Sequence, residues 1–217
     1  MGRSATGSLI SLITKKCAAN FAIVAVVGSA FFSSSYAATP AVTAGSEHAL
    51  TLHSDGSVSI WGSDSHGQLG QGRATYSKDP ATLAGLSSVS KIAVGANHNV
   101  ILKSDGTVWA WGNNSFGKLG DASTTDRSVP TRISGLSGIT AIAAGGNHTV
   151  ALKSDGTVWV WGWHQYVTGG NDGKNTSPTQ VTEITNAVAV AAGDNHTLVL
   201  KQDGTVWTWG WNLNGEL

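Results

Sequence analysis

The sequence predicts an all-β fold: an incomplete β-propeller made of four-stranded antiparallel blades. Three observations predict it. First, the stretch Gly95 to Gly112 is written four times, with the other copies running Gly45 to Gly62, Gly145 to Gly162 and Gly193 to Gly210. Second, its markers keep step. His48, His98, His148 and His196 lie 50, 50 and 48 residues apart, and Asp55, Asp105, Asp155 and Asp203 repeat those intervals, a period that marks a solenoid, propeller or array. Third, 28 glycines and 9 tryptophans against 4 phenylalanines and 3 tyrosines suit short strands joined by tight turns with an aromatic at a fixed place.

Residues 1–37 read as a secretory signal. Arg3, Lys15 and Lys16 form a positive flank, Phe21 to Phe32 an apolar core, and Ser35-Tyr36-Ala37 a small-x-small cleavage site. The apolar core is 12 residues long, against about 20 for a membrane-spanning helix, so no stable membrane anchor is expected. Cleavage after Ala37 leaves 38–217 as one repeat domain, secreted, periplasmic or at the cell surface. That domain carries 10 basic and 13 acidic residues, a net charge of −3, with no basic patch for nucleic acid. The single cysteine, Cys17, leaves with the signal, and with it any disulfide, thiolate-zinc or thiol chemistry.

Each repeat unit opens on a short run of small and β-branched residues, such as Ile139 to Ala144 and Ala187 to Ala191, that suits a strand buried on both faces. A second strand, Asn99 to Lys103, and a third, Thr107 to Trp111, flank Ser104-Asp105-Gly106. Asp-Gly between apolar runs is a strong hairpin signal, because both residues tolerate positive φ. The two-residue period places Val100 with Leu102 on one face, and Trp109 with Trp111 on one face of the third strand. A fourth strand follows each of Pro80, Pro130 and Pro178, as in Pro130 to Ile133, and a proline there fits a strand start or an outer edge. Four such strands make one blade, and neighbouring blades must stack to cover both faces. An open stack of hairpins would leave exposed edges.

The pattern Gly-x-x-His-x-x-x-Leu-x-x-Asp-Gly-x-Val-x-x-Trp-Gly, followed by Asn113-Asn114-Ser115-Phe116-Gly117-Lys118-Leu119-Gly120 or Ser63-Asp64-Ser65-His66-Gly67-Gln68-Leu69-Gly70, closely resembles the regulator of chromosome condensation repeat. The resemblance covers nearly all of residues 41–217. It implies a seven-bladed propeller used as a protein-binding platform, of which this chain holds about 3.5–4 blades. The resemblance also permits an alternative function, guanine-nucleotide exchange on a small GTPase, which the export signal disfavours. Two departures stand out. The third unit carries Trp163 to Gly170 in place of the Asn-x-x-Gly-x-Leu-Gly segment, and the sequence stops at Leu217, inside the motif of the fourth. The incomplete ring has two readings, a fragment of a longer chain or a homodimer in which two copies complete one ring.

No catalytic motif appears. There is no Gly-x-Ser-x-Gly elbow, no phosphate loop and no metal-ligand spacing within a unit, so neither an enzyme nor a cofactor or metal is expected. The repeated histidines are expected to hydrogen-bond within their own blades, and the Asp-Gly pairs to close hairpins. Function should then reside where the copies differ, after each Trp-Gly, in loops suited to recognition. The candidate binding residues there are Tyr76, Phe116, Trp163, His164, Tyr166 and Trp211. Trp163 and Trp211 take the place of Ser63 and Asn113, either as exposed hot spots or as rings packed between blades.

Overall fold

The Asp-Gly segments close hairpins as their chemistry requires. Asp105 Oδ1 accepts hydrogen bonds from the Thr107 amide (2.9 Å) and hydroxyl (2.7 Å), and Gly106 takes φ +79°. The same turn recurs at Asp55, Asp155 and Asp203. In each case the hydroxyl and then the amide hold the carboxyl below its ordinary range.

The computed structural model describes Ala25, Val26 and residues 38–72, 76–163, 174–212 and 215–217. The cleavage site expected after Ala37 lies outside the described residues, as does the rest of the expected signal except Ala25–Val26. Every element among the described residues is a strand. The first blade comprises β1 (Ala25–Val26), β2 (Ala41–Ala44), β3 (His48–Leu52), β4 (Val58–Gly62) and β5 (Ser77–Thr82). The second holds β6 (Val89–Val94), β7 (His98–Lys103), β8 (Val108–Gly112) and β9 (Arg127–Arg132). The third holds β10 (Ile139–Ala144), β11 (His148–Lys153), β12 (Val158–Trp163) and β13 (Lys174–Val181), and the fourth β14 (Ala187–Ala192), β15 (His196–Lys201) and β16 (Val206–Gly210). Strands in each blade pair antiparallel in sequence order.

Pro80, Pro130 and Pro178 sit in β5, β9 and β13, the outermost strands, where a missing N–H breaks no ladder. The proline does not start the strand as the sequence suggested; β9 begins three residues earlier, at Arg127. A register irregularity between Ala110 and Gly112 accommodates it, and the same irregularity recurs at Ile60/Gly62 and Val160/Gly162.

The core lies between blades. Val100, Leu102, Val108 and Ala110 on one face of the second blade pack with Ala144, Ala151 and Trp161 of the third. Ile101 and Trp111 on the opposite face pack with Leu50, Leu52, Val58 and Ile60 of the first. A third cluster joins Val150, Leu152, Val158 and Val160 to Val199 of the fourth. Equivalent valines Val58, Val108 and Val158 are fully buried by the blade that follows, while Val206 on the fourth blade is 59% exposed. The opening strands depart from expectation. Rather than being buried on both faces, β10 and β14 are half-open, with Thr140, Val188, Ala189 and Ala191 exposed.

Candidate functional site

The repeated histidines tie blades together, which corrects the expectation that each bonds within its own blade. His48 Nε2 lies 2.9 Å from Asn99 Oδ1, His98 Nε2 3.0 Å from Thr149 Oγ1 and His148 Nε2 2.9 Å from Thr197 Oγ1, each partner belonging to the next blade. The Thr149 hydroxyl donates its one proton to the Lys118 carbonyl (2.8 Å), so His98 Nε2 must be the donor toward Thr149. Asn99 accepts through Oδ1 while its amide donates to the Gln68 carbonyl (2.7 Å), which sets the same tautomer on His48. Desolvation lowers the His48 pKa to about 4, and burial drives His98 down in the same direction. Gly95 is required beside this latch, because a Cβ there would overlap the His98 ring and the Gly145 carbonyl of the next blade. A single unit offered no signal for this arrangement, since the partner stands 49 to 51 residues away.

Opposite the Asp-Gly hairpins lies the end of the propeller formed by the Gly-x-x-His loops and the segments after each Trp-Gly. The amides of Ser63, Asn113, Trp163 and Trp211 donate to the carbonyls of Glu47, Asn97, Asn147 and Asn195 at 2.8 to 2.9 Å, so the loops of each blade are held in one frame. On that frame the side chains diverge. Across the first two blades the end is polar: His66 Nδ1 lies 3.1 Å from Asp126 Oδ2, and Asp126 Oδ1 accepts from the Asn114 amide at 2.7 Å.

Across the second to fourth blades it becomes aromatic. Phe116, Trp163 and Trp211, one from each blade, form a ladder with ring centroids 6.2 and 6.0 Å apart and ring planes inclined by 43° and 45°. All three are half-buried. Tilted rings at this separation attract one another through their quadrupoles, so the two readings of Trp163 and Trp211 combine: each ring touches a neighbour and keeps part of its surface in solvent. The structure thereby brings three of the six candidate residues together. Tyr76 is 73% exposed on the first blade, beside β5, and stands apart from the ladder. His164 and Tyr166 lie outside the described residues.

Two lysines that the sequence reading passed over flank Phe116. Lys174 Nζ lies 5.7 Å from the ring centroid and Lys118 Nζ 5.9 Å. Lys118 is 2% exposed, and its ammonium donates to the Gly146 carbonyl at 3.3 Å. Burial lowers its pKa to about 8, against a smaller upward pull from the Asp126 charge. The signal for it was the contrast with Gln68 at the equivalent place in the first unit. At its other end the ladder meets a cavity of about 670 Å³ that Trp211, Asn147, Asn195 and Asp194 help to line. Asn147 Nδ2 donates to Asn195 Oδ1 at 3.2 Å across two blades.

A sequence profile of the RCC1-like domain matches residues 3–217 of this chain. Among solved structures, human WBSCR16 is similar at 25% identity and TM-score 0.74, over 83% of this chain and 50% of its own. Prp20p from Saccharomyces cerevisiae is similar at 28% identity and TM-score 0.68, over 79% of this chain and 45% of its own. Yeast RCC1 (Prp20) with Kap60 bound gives 28% identity and TM-score 0.66, over 77% and 42%. This chain therefore spans about half the length of the structures it matches.

Proposed function

Because the chain belongs to the RCC1-like domain family, we propose that it is an exported, non-enzymatic propeller that binds a protein partner through the end carrying Phe116, Trp163 and Trp211. The observation that carries this reading is the aromatic ladder, which occupies positions where the repeats differ and the frame beneath them does not. Half-buried tryptophans on a rigid frame are the material of interface hot spots. Support also comes from the neighbours: Prp20p is described by its binding to Gsp1p and histones, and yeast RCC1 (Prp20) was solved bound to Kap60. Export rests on the three-part segment of residues 1–37, and N-terminal sequencing of the extracellular protein should begin at Ala38.

Photo-crosslinking tests the binding surface. A photoreactive residue at position 163 should trap a specific protein, whereas the same residue at position 155, on the hairpin end, should not. Equal labelling from both positions, or none from 163, would remove the proposal. Guanine-nucleotide exchange on a small GTPase is the alternative, and accelerated release of labelled GDP from candidate small GTPases would favour it. For self-association, light scattering decides between monomer and homodimer.

A further inference from the structure

Resting on the protein-binding reading, the ladder and the cavity beside it can be assigned a partner chemistry. The ladder advances 6.2 Å from Phe116 to Trp163 and 6.0 Å from Trp163 to Trp211. Alternate residues of an extended chain share a face and are about 6.6 Å apart. An extended segment laid along the rings therefore presents positions i, i+2 and i+4 to the three rings in turn.

The two ends of the ladder differ in charge. At the Trp211 end the exposed Asp194 and the half-buried Glu216 line the same cavity as the indole. A cavity that holds both carboxylates and an indole suits a cation, which gains from the charge and from the ring quadrupole. At the Phe116 end stand the exposed Lys174 and, beneath it in charge though not in access, the buried Lys118. That end suits a carboxylate. In the middle, Trp163 offers an apolar surface with a ring on either side. The paired amides of Asn147 and Asn195, whose own carbonyls fix Trp163 and Trp211, stand beside the row as polar groups for a peptide backbone.

We infer that this surface binds an extended peptide segment of the partner with a basic residue at i on Trp211 and Asp194, an apolar residue at i+2 on Trp163, and an acidic residue at i+4 by Phe116 and Lys174. The mode is recognition of an extended chain by side-chain pockets at alternate positions, and charge at the two ends sets which segment is accepted.

The test uses the full domain and three synthetic peptides, Arg-Thr-Val-Thr-Glu, Arg-Thr-Val-Thr-Arg and Glu-Thr-Val-Thr-Glu, titrated while the indole N–H resonances are followed by NMR. The first peptide should bind at least tenfold tighter than either of the others and shift the Trp163 and Trp211 signals. Asp194→Asn should weaken the first peptide about tenfold but not weaken Glu-Thr-Val-Thr-Glu, for which it removes a like charge; Lys174→Gln should weaken the first but not weaken Arg-Thr-Val-Thr-Arg. Equal binding of the three peptides, or indifference to Asp194→Asn, overturns the inference. So does saturable binding of chitohexaose or cellohexaose to the same indoles with no peptide response, which would make the ladder a glycan platform. Crosslinking of a protein at position 163 with these peptides inactive sinks this inference alone, whereas absence of crosslinking sinks the protein-binding reading beneath it.

Discussion

His98 Nε2 donates across a blade boundary to Thr149 Oγ1 at 3.0 Å, and the Thr149 hydroxyl in turn donates to the Lys118 carbonyl at 2.8 Å. This short relay ties the second and third blades at a fully buried point. Thr149→Val removes the acceptor and strands the His98 N–H in the core, so it should destabilise the domain by about 1–3 kcal/mol. His98→Ala should cost more, because a cavity is added. A double-mutant cycle by urea unfolding should give a coupling of at least about 0.5 kcal/mol; strict additivity would show that the bond contributes nothing.

The latch histidines also make the fold acid-sensitive at a recognisable pH. The folded pKa of His48 is about 4, against 6.5 for the free side chain. Between those values the unfolded chain binds the proton and the folded chain does not, so stability is lost as pH falls from 6.5 toward 4, by roughly 3 kcal/mol for a full shift of this size. His98 acts in the same direction. The hairpin aspartates, whose pKa values lie below 3.8, act only in more acidic solution. Thermal melts from pH 7 to 4.5 should show a decline that His48→Gln makes shallower. A flat profile in the wild type would count against a buried neutral imidazole.

Much of this architecture was legible because it is local. Asp105-Gly106 dictates a hairpin from adjacent residues, and alternation along Asn99 to Lys103 separates Val100 and Leu102 from Ile101. The histidine partners were not legible in a single unit, because residue types at the acceptor position vary between Asn99, Thr149 and Thr197 and only stacking brings them near. The ladder was half legible. Comparing copies singled out Phe116, Trp163 and Trp211, but that they meet follows from how far each blade turns about the axis, which no spacing along the chain encodes. Lys118 was overlooked because a lysine in a variable segment reads as solvated; burial against Phe116 and Gly146 reverses that reading.

Lys118 should oppose the fold at neutral pH. Its ammonium is buried and its pKa drops from 10.5 to about 8. Between pH 8 and 10.5 the unfolded chain holds the proton that the folded chain has lost, so stability from this group rises with pH across that interval. Lys118→Gln, which installs the residue found at Gln68 in the first blade, should stabilise the domain at pH 7 by about 1–3 kcal/mol and abolish the rise. Chemical denaturation at pH 7 and 9.5 measures both. A destabilised variant would mean that the bond from Lys118 to the Gly146 carbonyl outweighs the desolvation.

Trp163 separates a stability role from a recognition role within one side chain. Its ring meets Phe116 on one side and Trp211 on the other, yet remains half-buried. Trp161, two residues earlier, is fully buried between the second and third blades. Trp161→Ala should therefore cost about 3–5 kcal/mol of stability, the range for a large aromatic deleted from a core. Trp163→Ala loses two ring contacts and only part of a buried surface, so about 1–2 kcal/mol of stability is expected. If the ladder is the centre of the interface, the same substitution should weaken partner binding by about 2 kcal/mol or more, and Trp163→Phe should recover most of it by keeping an aromatic ring in the row. Thermal melts and binding isotherms on the three variants check this. Loss of binding that merely tracks loss of stability across Trp161→Ala and Trp163→Ala would reduce Trp163 to a packing residue, whereas a binding defect in a Trp163→Ala domain that melts nearly as the wild type does places the ring at the interface.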